Sequence, residues 1–313
     1  LVIKIKGDTM LSKIVKSTAL IALTVCTLNA ADFNAGAEKD RIATIKYFET
    51  KFADPEKNKD KFFPYSTTEE LKNDYAKNLK HNDFAIGAYS FSKDAKSQYE
   101  AIKEMPPYED GIEKGKELYS KKFANGNSLA TCFPDPTVGG MYPYFDEKKK
   151  ELVSLTSAVN DCLRANGEKE WNTQKGDMAN FQGFIASSST EAGKKFDIKI
   201  ASAEAKKAYE NGKEYYYTQR GYLNLSCAEC HVQGAGQRVR NEKLSPLTGQ
   251  VTHFPVFRLK WEELGTLERR MSGCIVDQGQ VPPKDESTQM KELLYFLAYM
   301  SNGMAVDGPD VRK

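Results

Sequence analysis

Cys162 and Cys274 stand 112 residues apart, and the apolar helical patterns that follow them begin at Met178 and Met290, also 112 residues apart. A shared offset constrains the fold more than any single motif, because self-similarity at a fixed spacing marks a duplicated unit. Other segments agree with it. Gly115-Lys116-Glu117-Leu118-Tyr119 precedes Cys132 as Gly212-Lys213-Glu214-Tyr215-Tyr216 precedes Cys227 and Cys230, and Leu155-Thr156 leads to Cys162 as Leu264-Gly265-Thr266 leads to Cys274. Each unit reads as helix, cysteine-bearing loop, long irregular stretch, cysteine-bearing helix and final helix, without period-two strand runs. The expected fold is therefore all-α, with two tandem domains over 109–200 and 201–313. A helical N-terminal extension over 31–108, broken at Pro55, Pro64 and Pro106-Pro107, is expected to pack on the first domain, with Tyr47, Phe48, Phe62, Phe63 and Tyr65 as packing residues.

A length of 313 residues suits two domains plus flanking segments. With 45 basic against 43 acidic groups the formal charge is only +2, which gives no footprint for nucleic acid. Met10 is followed by Lys13 and Lys16, an apolar run over 19–25, and the small residues Ala30 and Ala31. That is the pattern of a signal peptide over 1–30, so a periplasmic location is expected. The run falls well short of the ~20 residues a bilayer demands, so no membrane span is expected. Five cysteines then remain, an odd number for an oxidising compartment.

Cys227-Ala228-Glu229-Cys230-His231 is the attachment pattern for one covalently bound haem c: two thiols for the porphyrin vinyl groups and an adjoining imidazole for the iron. A redox dithiol or half a zinc site fits less well, since the chain has no second C-x-x-C and only His81 and His253 besides His231. The other axial position needs a soft or nitrogen donor. His253, Met271, Cys274, Met290, Met300 and Met304 are candidates, of which Met290 and Met300 fall in an apolar helical stripe and read as core. Residue types alone leave the choice open.

Phe254-Pro255-Val256-Phe257-Arg258-Leu259-Lys260-Trp261, then Leu264-Gly265-Thr266-Leu267-Glu268-Arg269-Arg270 and Cys274, resembles the C-terminal half of the SoxA family, catalytic cytochromes of the periplasmic thiosulfate-oxidising system. The resemblance extends over the duplicated plan from about Asp110 to the C-terminus, and implies two cytochrome c-like domains. It implies that Cys274 is both the distal haem ligand and the active-site residue, carried as a persulfide, and that Arg270 contacts substrate. Thiosulfate is a dianion, for which a guanidinium one helical turn from the sulfur is a fitting partner; Arg270 is also expected to lower the pKa of Cys274.

Some members of that family carry a second haem in the first domain. Here Thr131-Cys132-Phe133-Pro134 lacks the second cysteine and the histidine, so the first domain is expected to be without haem. By the same resemblance Cys162 holds the place of the lost haem's ligand, and a Cys132–Cys162 disulfide is expected. The family implies L-cysteine S-thiosulfotransferase activity, with thiosulfate as substrate and as partners the small monohaem cytochrome SoxX, the carrier SoxYZ and an electron-accepting cytochrome c. A non-catalytic electron-transfer cytochrome and a thiosulfate dehydrogenase are the rivals. The basic residues Arg238, Arg240, Lys260 and Arg269 are expected to face solvent or a partner.

Overall fold

The computed structural model describes residues 32–239 and 242–312. The signal-peptide expectation, over 1–30, and Arg240 lie outside them. Helices dominate: α1 Ala35–Lys51, α2 Lys93–Lys103, α3 Glu109–Ser120, α4 Leu155–Ala165, α5 Asp177–Glu191, α6 Ala203–Tyr217, α7 Leu267–Asp277 and α8 Thr288–Met300. The all-α expectation needs one addition. Short strands pair β1 (Tyr144–Asp146) with β2 (Glu151–Val153), and β3 (Val256–Arg258) with both β4 (Glu263–Gly265) and β5 (Asp310–Arg312). At three residues each, they are too short for alternation to register in the sequence.

Every element from β1 to α4 recurs 112 residues later as the element from β3 to α7, caps included: Ser154 caps α4 by accepting from Ser157 N–H, and Thr266 caps α7 by accepting from Arg269 N–H. The helix pairs α3–α5 and α6–α8 cross in one way. A Cβ on Gly115 would meet the Asn180 carbonyl oxygen at 2.1 Å, and one on Gly212 the Glu292 carbonyl oxygen at 2.0 Å. Only glycine lets the helix backbones approach so closely. Pairs of residues 112 apart, such as Leu155 with Leu267, Thr156 with Glu268 and Ala186 with Ala298, line one cavity. The two halves therefore face each other about a pseudo-twofold axis.

The cores differ. In the first half Phe133, Trp171 and Phe181 pack ring to ring beside Met178 and Leu163, and Cys132 is joined to Cys162. In the second half α6 and α8 join a larger core that takes in the N-terminal segment. This corrects the expected placement for the larger part of that segment: Phe48, Phe52, Phe63, Phe84 and Phe91 are buried with Leu247, Val251 and Met304 of the second half, while Tyr99 and Tyr108 pack with Ala179 of the first half and Leu264 and Val311 of the second. Polar contacts run the same way. Lys51 Nζ donates to the Gln233 carbonyl (2.7 Å), Tyr75 Oη donates to the Gly236 carbonyl, and Lys243 Nζ meets Asp74 at 2.6 Å over the Tyr75 ring. The reason is unburied area: the loop after His231 has no helix of its own to cover it, and the aromatic-rich segment supplies the cover.

Candidate functional site

Cys227, Cys230 and His231 sit on one tight turn. Ser226 and Glu229 exchange hydrogen bonds, Ser226 N–H to the carboxylate (2.7 Å) and Glu229 N–H to the hydroxyl (3.3 Å), which is a capping box. The turn runs on as a π-type helix over Glu229–Gln233, closed by Gly234 N–H to the Glu229 carbonyl at 2.8 Å. The sequence signals only the capped start of this turn, S-x-x-E over 226–229, which the haem motif overlaid.

His231 Nδ1 donates to the Ser245 carbonyl at 2.8 Å. With Nδ1 committed to the Ser245 carbonyl, that bond fixes the tautomer and Nε2 is the nitrogen left for a metal. Burial, with Arg270 adding to it, holds the imidazole down at about 4, so it is neutral and fit to ligate.

α7 brings the other side of the site. Arg270 and Cys274 are one turn apart on it, so they share a face. Cys274, Cys227 and Cys230 are free thiols whose charges reach one another and the buried phenol of Tyr216, which donates to Gln250 Oε1 at 3.1 Å. Burial pushes Cys227 up to about 12 and raises Cys230. Cys274 is also raised, mainly by burial and further by Asp277, against the pull of Arg270 and Arg258. Arg270 pulls the thiol down as expected, but desolvation of the buried sulfur outweighs that pull. Two thiols and one oriented imidazole on the attachment turn, with Cys274 within electrostatic reach of both thiols, are a donor set that fits a covalently held haem c.

The other candidate ligands are accounted for. His253 is buried and held by the backbone of Ala85 (3.3 Å) and Gly249. Met290, Met300 and Met304 are fully buried core, and Met271 packs on the edge of that core. Of the basic residues, Arg238 pairs with Glu70 and Asp74, and Arg269 with Glu263 at 2.8 Å over the Trp261 ring, while Lys260 is exposed. Two charged neighbours escaped the sequence reading. Arg258 lies over Trp261 (5.2 Å) within electrostatic reach of Arg270 and Cys274. Glu268, next to the arginine pair on α7, is buried in the cavity between the halves.

The model of the SoxA/TsdA cytochrome c domain matches residues 114–193 and 211–306. The L-cysteine S-thiosulfotransferase subunit SoxA of Chlorobaculum tepidum is 48% identical over 236 residues, 75% of this chain and 82% of that protein. The SoxA subunit of Allochromatium vinosum is 38% identical over 75% of this chain and 84% of its own. Among solved structures, SoxXA from P. pantotrophus superposes with a TM-score of 0.63 at 29% identity, covering 69% of this chain and 84% of that one.

Proposed function

The chain belongs to the family of SoxA subunits of L-cysteine S-thiosulfotransferase, and from that premise we propose that it oxidatively joins thiosulfate to a cysteine of a carrier protein at Cys274. The observation that carries this reading is the shared face of α7, on which Arg270 lies within electrostatic reach of His231 and Cys274 within reach of Cys227 and Cys230.

Arg270 binds the sulfonate oxygens of the dianion, and Arg258 adds positive potential behind it. The thiolate of Cys274 and the outer sulfur of thiosulfate form a disulfide bond, R–S⁻ + S₂O₃²⁻ → R–S–S–SO₃⁻ + 2e⁻, with the two electrons passing one at a time to two equivalents of an acceptor cytochrome c. A carrier thiolate then attacks the outer sulfur; its new S–S bond forms as the bond to Cys274 breaks, and the Cys274 thiolate returns unchanged. Bound haem c supplies the one-electron redox chemistry that such an oxidation requires beside the sulfur. Cys227 and Cys230 would hold it, and His231 and Cys274 would be the donors to its iron.

The chain is read as an extension over 31–108, a cytochrome c-like domain over 109–200 without haem, and a domain over 201–313 with one haem. The Cys132–Cys162 bond and the aromatic filling around Phe181 support the haem-free assignment. SoxX, SoxYZ and an acceptor cytochrome c are the proposed partners, in the periplasm. Among the described residues no helix is long and apolar enough to cross a membrane.

The test is low-temperature electron paramagnetic resonance of the oxidised holoprotein together with thiosulfate-conjugation assays. A low-spin thiolate signal and turnover, both abolished in Cys274→Ala, are expected. An unchanged His/Met-type spectrum in the variant would leave an electron carrier instead.

A further inference from the structure

The helix that carries Arg270 and Cys274 is tied to the half of the molecule that has no haem motif directly at its start, and at its middle through Asp285. At its start, Thr266 N–H donates to the Gln174 carbonyl (3.0 Å) and Thr266 Oγ1 donates to the Thr173 carbonyl (2.8 Å). At its middle, Ser272 Oγ donates to Asp285 Oδ1 at 3.2 Å. Asp285 in turn accepts from Thr173 Oγ1 (2.6 Å) and from Gln174 Nε2 (3.0 Å to the nearer oxygen), the same two residues that hold the helix start. The loop bearing them is fixed to α4 by Asn160, which accepts from Trp171 N–H (3.0 Å) and donates to the Trp171 carbonyl (3.3 Å).

Duplication places this knot. Thr173 and Asp285 are 112 apart, and so are Asn160 and Ser272, so equivalent loops of the two halves meet at the pseudo-twofold axis. Two threonines there would supply no strong acceptor, and two aspartates would repel. Divergence to one of each gives a donor facing a carboxylate, which also receives Gln174 and Ser272.

We propose that Asp285 is a positioning residue for Cys274, through which the haem-free half holds the catalytic helix in register with the attachment turn. The proposal rests on Cys274 being the reacting sulfur. A helix held only at its cap can pivot. Ser272 lies six residues beyond Thr266, about 9 Å along the axis, so a second tether there fixes direction and rotation together. Cys274 is two residues further, and a displacement of its sulfur of about 1 Å is enough to cost on the order of 100-fold in rate.

The test uses the holoprotein, with Asp285→Ala and the milder Ser272→Ala, which removes one hydroxyl. Expected are a loss of at least half of the low-spin thiolate signal, faster amide hydrogen exchange over 267–277 with α4 unchanged, and a kcat about tenfold lower with the thiosulfate KM within twofold. In a cycle of Ser272→Ala with Thr173→Val, the double variant should lose no more than the worse single one. Should Asp285→Ala not fold, Ser272→Ala decides alone. Wild-type signal, exchange and kcat in Ser272→Ala, with Cys274→Ala still abolishing both signal and turnover, would overturn the positioning role. If Cys274→Ala left them intact, the reading of Cys274 would fall first.

Discussion

At the scale of single residues, the thiol and guanidinium of α7 follow from a spacing of four, which any helix converts into a shared face. Arg270→Ala should raise the thiosulfate KM about tenfold or more, as loss of a charge-assisted contact of roughly 1.5–3 kcal/mol requires, while Arg270→Lys keeps part of the affinity; steady-state kinetics checks both. Glu268 was not legible in the same way. A glutamate beside two arginines reads as a solvated charge, yet the cap at Thr266 turns it into the cavity between the halves. Burial there pushes its carboxyl up to about 7 from an ordinary 4.5. The folded protein thus keeps a proton that the unfolded chain gives up first. That contribution to stability is whole below about pH 4.5 and lost as the pH rises through 7, a fall on the order of 3 kcal/mol. Melting curves at pH 5 and pH 8 should show Glu268→Gln free of most of this fall; parallel losses in both proteins would refute it.

Among the elements, duplication could be read because matching residues mark matching positions, and the glycines show what one match is for. Gly115 and Gly212 each let a helix backbone lie against a carbonyl of its partner helix. Alanine at either position should destabilise by about 1–3 kcal/mol through overpacking, exceeding the ~1 kcal/mol that alanine gains in helix propensity. Gly36 in α1, with nothing within 4 Å of its missing Cβ, is the control: alanine there should stabilise, as urea unfolding would record. The short strands and the π-type turn were hidden for the same physical reason. Three residues of ladder, or one wide turn, are held by tertiary neighbours and leave no period in the chain. The polar knot at Asp285 was hidden too, since a side chain reaching another half leaves no local pattern.

For the whole molecule, two halves joined across a cavity and a cysteine pair closed in one of them make separate stability units testable. The Cys132–Cys162 bond closes a loop with a separation of 30 residues, worth roughly 3–4 kcal/mol of restriction on the unfolded chain. Cys132→Ser with Cys162→Ser should lower the unfolding free energy by about that much. The thiolate signal of the second half should persist below the new transition, which denaturation followed by absorbance and by resonance distinguishes. The one large misplacement, the N-terminal segment, was invisible because apolar residues advertise that they will be buried and not against what. That segment meets the second half across long spans of chain: Lys51 to Gln233 is a separation of 182 residues, Tyr75 to Gly236 is 161, and Lys243 to Asp74 is 169. Contacts so distant in sequence carry a high loop-closure cost and close late. Lys51 and Tyr75 must therefore wait for Gln233 and Gly236 before the cover over the attachment turn can form, so neither side of that core is complete without the other.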